Sequence, residues 1–274
     1  MVLKSHSRKQ REWSKMRDFY KCLRKSHWTC GVIVPEKMVW WLIHFEWEGT
    51  SWRYASSLER PGEIQVNDIA GNRKTLTRLN ADQAYETLGV YLAPNGNSTA
   101  QFAKLLSLST KWADAKRTGH ISKDEAWLAV TTTIWCSLSY PLAALRLTKP
   151  QWEEIMAPIL RYCLPAMGIC RNFSRQLTFS RQEFFGLGFK HLYTMQEITR
   201  IKDLVQYTWE NTLTGQLYRA SLELFLIEVG IGPNVLDIPS QVVFLATDSL
   251  ICSTVFFLQL FNIRVHHDIT MVPQ

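Results

Sequence analysis

The chain has 274 residues with 46% hydrophobic and 20% charged side chains, the balance of an ordinary globular protein, and it is long enough for one large domain or two small ones. The eleven Trp bury large areas, so a packed fold rather than disorder is expected. The net charge of +7 is concentrated in residues 1–28, where nine Lys and Arg face only Glu12 and Asp18 while the rest of the chain balances.

Residues 9–27 place Trp13, Met16, Tyr20 and Leu23 at three-four spacing, which predicts an amphipathic helix. This basic arm suits phosphate backbones or an anionic membrane, the plain alternative being a solvated helix face. Too charged for a secretory leader, it has no apolar core behind its cations. Gly31 ends it. Val39 to Trp47 is aromatic and β-branched and predicts a strand, with Trp52 to Ala55 pairing across Glu48-Gly49-Thr50. Ile64 to Asp68 and Lys74 to Leu79 flank Ala70-Gly71-Asn72 as a second hairpin. Thr87 to Leu92 is a further strand, and Pro94-Asn95-Gly96-Asn97 closes the β-rich part.

Beyond Ser98 the spacing becomes helical. Phe102, Leu105, Leu106 and Trp112 form one apolar face, and Lys123 to Leu145 another, broken near Pro141. A helix over 149–162 has Thr148 as its N-cap and Pro150 in its first turn. Residues 163–193, with Gly168, Gly186 and Gly188, read as an irregular connector. Helices follow near 195–210, 213–229 and 241–263. The last stretch is apolar enough to raise a membrane-spanning reading, but Asp248 at its middle would cost roughly 2.5–3.5 kcal/mol in a bilayer, so a buried helix is expected. The fold class is α+β, divided into a basic arm over 1–28, a β-rich segment over 29–97 and a helical region over 98–274.

Chemistry-bearing motifs are sparse. Cys22, Cys30, Cys136, Cys163, Cys170 and Cys252 form no Cys-x-x-Cys pair, so neither a disulfide framework nor a zinc site is expected and a reducing intracellular compartment, nucleus or cytoplasm, is the default. The sequence has no Gly-rich phosphate loop, no Gly-x-Ser-x-Gly and no His-Glu-x-x-His. His266-His267-Asp268 is the one dense polar cluster and reads as a surface turn.

Several segments together resemble the reverse transcriptases of LINE-like, non-LTR retrotransposons. Gly31-Val-Ile-Val-Pro-Glu-Lys37 resembles the motif after the catalytic Asp-Asp hairpin, and Thr87-Leu-Gly-Val90 resembles the primer grip. Val39 to Trp47, Tyr91 to Asn97, Arg117-Thr-Gly-His120, Pro165 to Phe173, Gly186-Leu-Gly188 and His191-Leu-Tyr-Thr194 follow in the order of one subgroup, from about residue 28 onward. His44 departs from it where an Asp is usual, as does Ser174 where a Pro is common.

The resemblance implies a palm end followed by a thumb and a helical extension. It also implies a nucleotide-binding role for Lys37, close backbone approach at Leu88 and Gly89, and phosphate contacts from Lys111, Lys116, Arg117, His120, Arg171 and Arg175. Polymerases of this type use two metal ions held by carboxylates, Mg²⁺ in this family, but the sequence contains no adjacent Asp-Asp. Neither catalytic residue, metal ligand nor cofactor is therefore expected, and Lys37 as a lone general acid contributes too little to act by itself.

The expected partner is an RNA–DNA or RNA template–primer, held weakly and salt-sensitively, with no membrane and with the missing palm supplied by a longer polypeptide. The alternative is a helical protein–protein scaffold without nucleic-acid function. A palm end lacking its central strands is expected to leave an apolar face uncovered, making the region before residue 95 less stable than 98–263.

Overall fold

The structure is a computed structural model that describes residues 38–49, 51–67, 71–117, 119, 122–230, 243, 246, 247 and 249–263. The basic arm, Lys37, His120 and the His266-His267-Asp268 cluster lie outside the described residues. The chain divides into two compact units, Met1–Asn80 and Ala81–Gln274. Strands fill the N-terminal part and helices the C-terminal part, a mixed α+β architecture with small sheets.

In the first unit, β1 (Val39–Trp41) and β2 (Phe45–Glu48) are separate strands. The single strand expected from Val39 to Trp47 is thus interrupted at 42–44, because its two ends take different partners. β2 pairs antiparallel with β3 (Ser51–Tyr54), with Gly49 in the turn at φ +65°. Period-two alternation sorts this hairpin by chemistry. One face holds Phe45, Trp52 and Tyr54 in edge and tilted contacts at 4.9–5.5 Å. The other holds Arg53, which donates to Glu48 Oε2 at 3.0 Å and to both oxygens of Glu59, while Arg60 Nε donates to Glu46. The aromatic face stays open: Phe45, Trp47 and Trp52 are each more than half exposed.

β4 (Gln65–Asn67) and β5 (Arg73–Thr75) form the second hairpin, but the expected strand to Leu79 breaks at Leu76. Leu76 is buried and donates its N–H to Ile64. Beyond it the chain changes partner, and β6 (Thr77–Leu79) runs parallel to β1. Trp40 locks this junction, donating Nε1–H to the Leu76 carbonyl at 3.3 Å with the Arg78 guanidinium 5.0 Å over its ring.

In the second unit, β7 (Tyr85–Thr87) and β8 (Val90–Leu92) form a hairpin, followed by α1 (Thr99–Arg117). A capping box between Ser122 and Glu125 opens α2 (Lys123–Ala129). A π-helical stretch, Val130–Ile134, carries it into α3 (Trp135–Ser139). Thr131, Thr132 and Thr133 cause the wider turn: their hydroxyls donate back to the carbonyls of Trp127, Leu128 and Ala129, competing with the normal ladder. Pro141 ends the run, as expected.

The long α4 (Lys149–Ala166) starts at Thr148, whose N–H donates to Gln151 Oε1 at 2.8 Å, and continues past Tyr162 through Pro158 and Pro165. It buries Trp152, Ile155, Met156, Ile159, Leu160, Cys163 and Leu164, an i, i+3, i+4 stripe that forms the spine of the main core. The connector holds the short α5 (Arg175–Phe179). α6 (Leu192–Tyr207) and α7 (Leu213–Val229) follow, α7 being capped by Gly230 at φ +70°.

The last stretch differs from the sequence expectation. Ala246 and Thr247 are not helical, and α8 spans only Leu250–Leu260. Ser249 accepts the Cys252 N–H as its N-cap, and Glu228 draws Thr247 out of the helix by accepting from its N–H and hydroxyl. Phe225 and Val229 pack with Ile251 and Val255 in a second core. Among the described residues no helix is long and apolar enough to cross a membrane.

Candidate nucleic-acid interface

The Thr87-Leu-Gly-Val90 segment folds as the tip of the β7–β8 hairpin. Leu88 and Gly89 form its two-residue loop at φ +51° and +83°. Two successive positive φ values match the twist of flanking strands, the geometry for which Asn-Gly is favoured. Gly suits the second position. Leu in the first is strained, since the left-handed region crowds Cβ against backbone and costs roughly 1–2 kcal/mol. The strained residue is also 85% exposed, so the hairpin holds a branched apolar side chain out in solvent against local preference.

α1 and α3 fix this tip. Val90 is buried in the main core, and the Tyr91 N–H donates to Gln101 Oε1 at 2.8 Å, Gln101 itself being buried. Lys104 Nζ donates to the Gly89 carbonyl at 2.7 Å and to Glu86 at 2.5 Å, and lies 5.3 Å over the Tyr91 ring. Tyr140 donates its hydroxyl proton to the Leu88 carbonyl at 3.0 Å. The hydrogen bond from Lys104, with its charge behind it, holds the Glu86 carboxyl below the usual carboxylate range.

Lys104 is the residue that sequence reading missed. Nothing in its local pattern separates it from a solvated lysine; only the docking of the hairpin on α1 reveals it. Lys111 is exposed two turns further along α1, on the same face and roughly 10 Å away by helical rise. Lys116 and Arg117 occupy the last turn, where cations suit the helix dipole. At about 100° per residue they point away from the Lys104–Lys111 face. The Gly119 N–H returns to the Lys116 carbonyl and closes that end.

Arg171 and Arg175 lie on the connector, both exposed. Arg175 lines a cleft of about 420 Å³ together with Lys149, Glu153 and His191, over a floor that includes Met156 and Leu160. The His191 ring meets Phe179 edge-on at 4.6 Å, and its Nδ1 is buried without a hydrogen-bond partner. Burial pushes its imidazole below the ordinary histidine value; Glu153 opposes the shift and Lys149 adds to it.

Among the described residues, the expected site residues therefore fall into two groups, one on the hairpin and α1 and one on the connector. Among the described residues no group of three or more His, Cys, Asp or Glu side chains is placed to hold a metal ion. Comparison with protein-family models, curated proteins and solved structures gives no match.

Proposed function

We propose that this chain acts as the palm end and thumb of a LINE-like, non-LTR reverse transcriptase, without the metal-binding Asp motifs. On this reading it holds primer–template nucleic acid without copying it. The support is the β7–β8 hairpin: a motif resembling the primer grip presents an exposed, strained Leu88 and sits beside Lys104 and Lys111 on one helix face. The small turn lets a sugar–phosphate backbone approach, and the two lysines supply sequence-independent attraction to it. Lys37 and His120, outside the described residues, extend the same role by resemblance.

Binding of this kind has a dissociation constant of ~10⁻⁴–10⁻⁶ M at physiological salt. The test is fluorescence anisotropy of a labelled RNA–DNA duplex across a salt series. Two to three neutralised phosphates give a log–log slope of roughly −2 to −3. A flat slope sinks the proposal.

One observation favours a second reading, a helical docking scaffold. Leu213, Leu217, Leu224 and Ile227 form an exposed apolar stripe along α7, at intervals of four, seven and three residues that follow a coiled-coil seam with Ala220 in the intervening position. A partner complex that persists at high salt, where phosphate contacts fail, would select this reading over the first.

A further inference from the structure

The loop over 180–189 spends structural effort on keeping two aromatic rings in water. Four backbone hydrogen bonds tie it down: Gly186 to Arg181, Gly188 to Ser180, Leu187 to Leu177 and Phe189 to Thr178, at 2.8–3.2 Å. Phe189 turns inward and packs on Trp127 and Trp135 at 4.8 and 5.6 Å. Gly186 has no room for a side chain, because a Cβ would overlap the Ser180 carbonyl. Against this anchored base, Phe184 and Phe185 project outward, 67% and 93% exposed. Phe185 is also left-handed at φ +57°, a conformation that bulky residues seldom take. Solvent exposure and backbone strain thus fall on the same ring, and neither helps the fold.

The surroundings are basic and concave. One cleft is lined by Lys149 and Arg175; a second, of about 750 Å³, is lined by Arg181 and Lys190. Both clefts are lined by Phe179 and His191, so they meet along one aromatic wall, and the buried His191 Nδ1 there lacks a partner. Glu153 and Glu183 are the opposing charges, Glu183 lying 3.2 Å from Arg181. Both flanks of the tip, Arg181–Glu183 and Gly188–Lys190, line the second cleft, and a concave surface beside projecting rings suits a threaded chain rather than the plane of a bilayer. Alternating cations and exposed aromatic faces are what a single-stranded nucleic acid requires, its phosphates taken by charge and its bases by stacking.

We propose that the Phe184–Phe185 tip, the cleft lined by its flanks and the cleft adjoining it form a binding site for single-stranded nucleic acid. The site uses none of the β7–β8 hairpin and goes beyond the duplex-holding role given above. Phe185 stacks a base, and Arg181 and Lys190 neutralise neighbouring phosphates.

The test uses the full-length protein and a fluorescein-labelled fifteen-nucleotide oligo-dT. Phe184→Ala with Phe185→Gly is expected to weaken binding by roughly ten-fold, from the loss of base stacking, with an unchanged salt slope. Glycine at 185 suits the left-handed backbone, so the thermal midpoint should not fall, and Phe185→Trp should bind at least as well as wild type. Arg181→Gln with Lys190→Gln should make the salt slope shallower by about 1.4, two phosphates on a single strand. Unchanged oligo-dT affinity in the phenylalanine variant overturns the proposal, as does a wild-type protein that ignores oligo-dT at low salt. So does a variant that loses binding only to phosphatidylserine-containing vesicles. An RNA–DNA duplex measured in parallel separates the two readings: Lys111→Gln should weaken duplex binding and leave oligo-dT untouched, and the phenylalanine variant the reverse.

Discussion

Replacing Arg200 with Met should unravel the joint between α6 and the segment before α4. Glu197 and Arg200 are both almost fully buried, with Arg200 Nη1 donating to Glu197 Oε1 and Nη2 to the Leu145 carbonyl, each at 2.6 Å. Gln196 completes the network, accepting from Trp152 Nε1 at 2.9 Å and donating to the Leu147 carbonyl and to Glu197. Burial pushes the Glu197 carboxyl up and the Arg200 guanidinium down, and each charge opposes the shift of the other. Two charge-assisted hydrogen bonds vanish in the variant, each worth about 1.5–3 kcal/mol. The stranded Glu197 carboxylate relieves part of its cost by taking up a proton. The expected loss is therefore about 3–5 kcal/mol, the usual cost of breaking a buried pair from one side.

Urea unfolding followed by helical circular dichroism measures this loss. With a slope of about 2–3 kcal/mol/M for a unit of this size, the midpoint should fall by roughly 1–2 M. Glu197→Leu combined with Arg200→Met should recover a large part of the deficit, because no charge is then stranded. The pH dependence has a definite sign. With its folded pKa raised, Glu197 favours folding below its unfolded pKa, near 4.3, and that contribution is lost as pH rises through the folded value. The deficit of Arg200→Met should thus be smaller at pH 5 than at pH 8. A loss below about 1 kcal/mol, or a deficit that grows on acidification, would mean that Glu197 and Arg200 are not a buried charge pair.

Leu88→Asn should stabilise the protein by about 0.5–1 kcal/mol by relieving a left-handed leucine, read as a higher thermal midpoint; a clear drop would mean that Leu88 packs on something. Gly215→Ala should cost more than about 2 kcal/mol, since its Cβ would overlap the Glu210 carbonyl and lie 2.6 Å from that of Tyr207; wild-type stability in urea would contradict that close approach. Exposed Cys136 and Cys170 should react with a thiol reagent in the folded protein. Buried Cys163, its thiol pushed up to about 12 by burial, should react only after denaturation, as peptide mass spectrometry can resolve. Hydrogen bonds from Arg53 and Ser56 hold the Glu59 carboxyl down at about 2. Its support is present above the unfolded value and lost as pH falls from about 4.5 toward 2, so acid should expose the β2–β3 hairpin to pepsin before the α4 core, and the reverse order would count against it.

Local chemistry was enough for much of the helical part. Thr148 with Pro150, Pro141 and Gly230 place boundaries through effects that act within a few residues: a capping partner, a missing N–H, a permissive φ. The alternation around Gly49 likewise yields the β2–β3 hairpin and its split into an aromatic and an ionic face. The strand expected over Thr87 to Leu92 does not form as one piece: Leu88-Gly89 takes positive φ and turns the chain between Tyr85–Thr87 and Val90–Leu92, because the hairpin is fixed by its docking on α1 rather than by local β propensity.

Partner choice needed the tertiary structure. Val39 to Trp47 divides because β1 pairs with β6, 38 residues away at Val39–Thr77, and no periodicity within the strand encodes so distant a neighbour. Trp residues that look alike in sequence separate into Trp152, fully buried, and Trp47, 77% exposed. Lys104 becomes part of the hairpin only when α1 brings its ammonium to the Gly89 carbonyl. Phe185 stands out only once its backbone is left-handed and its ring uncovered. Caps, prolines and glycines fix those helix ends and turns at which they stand, because they act over a few residues. Which side chains meet, and which are left facing water, is decided by long-range packing, because burial depends on neighbours that the chain supplies from far away.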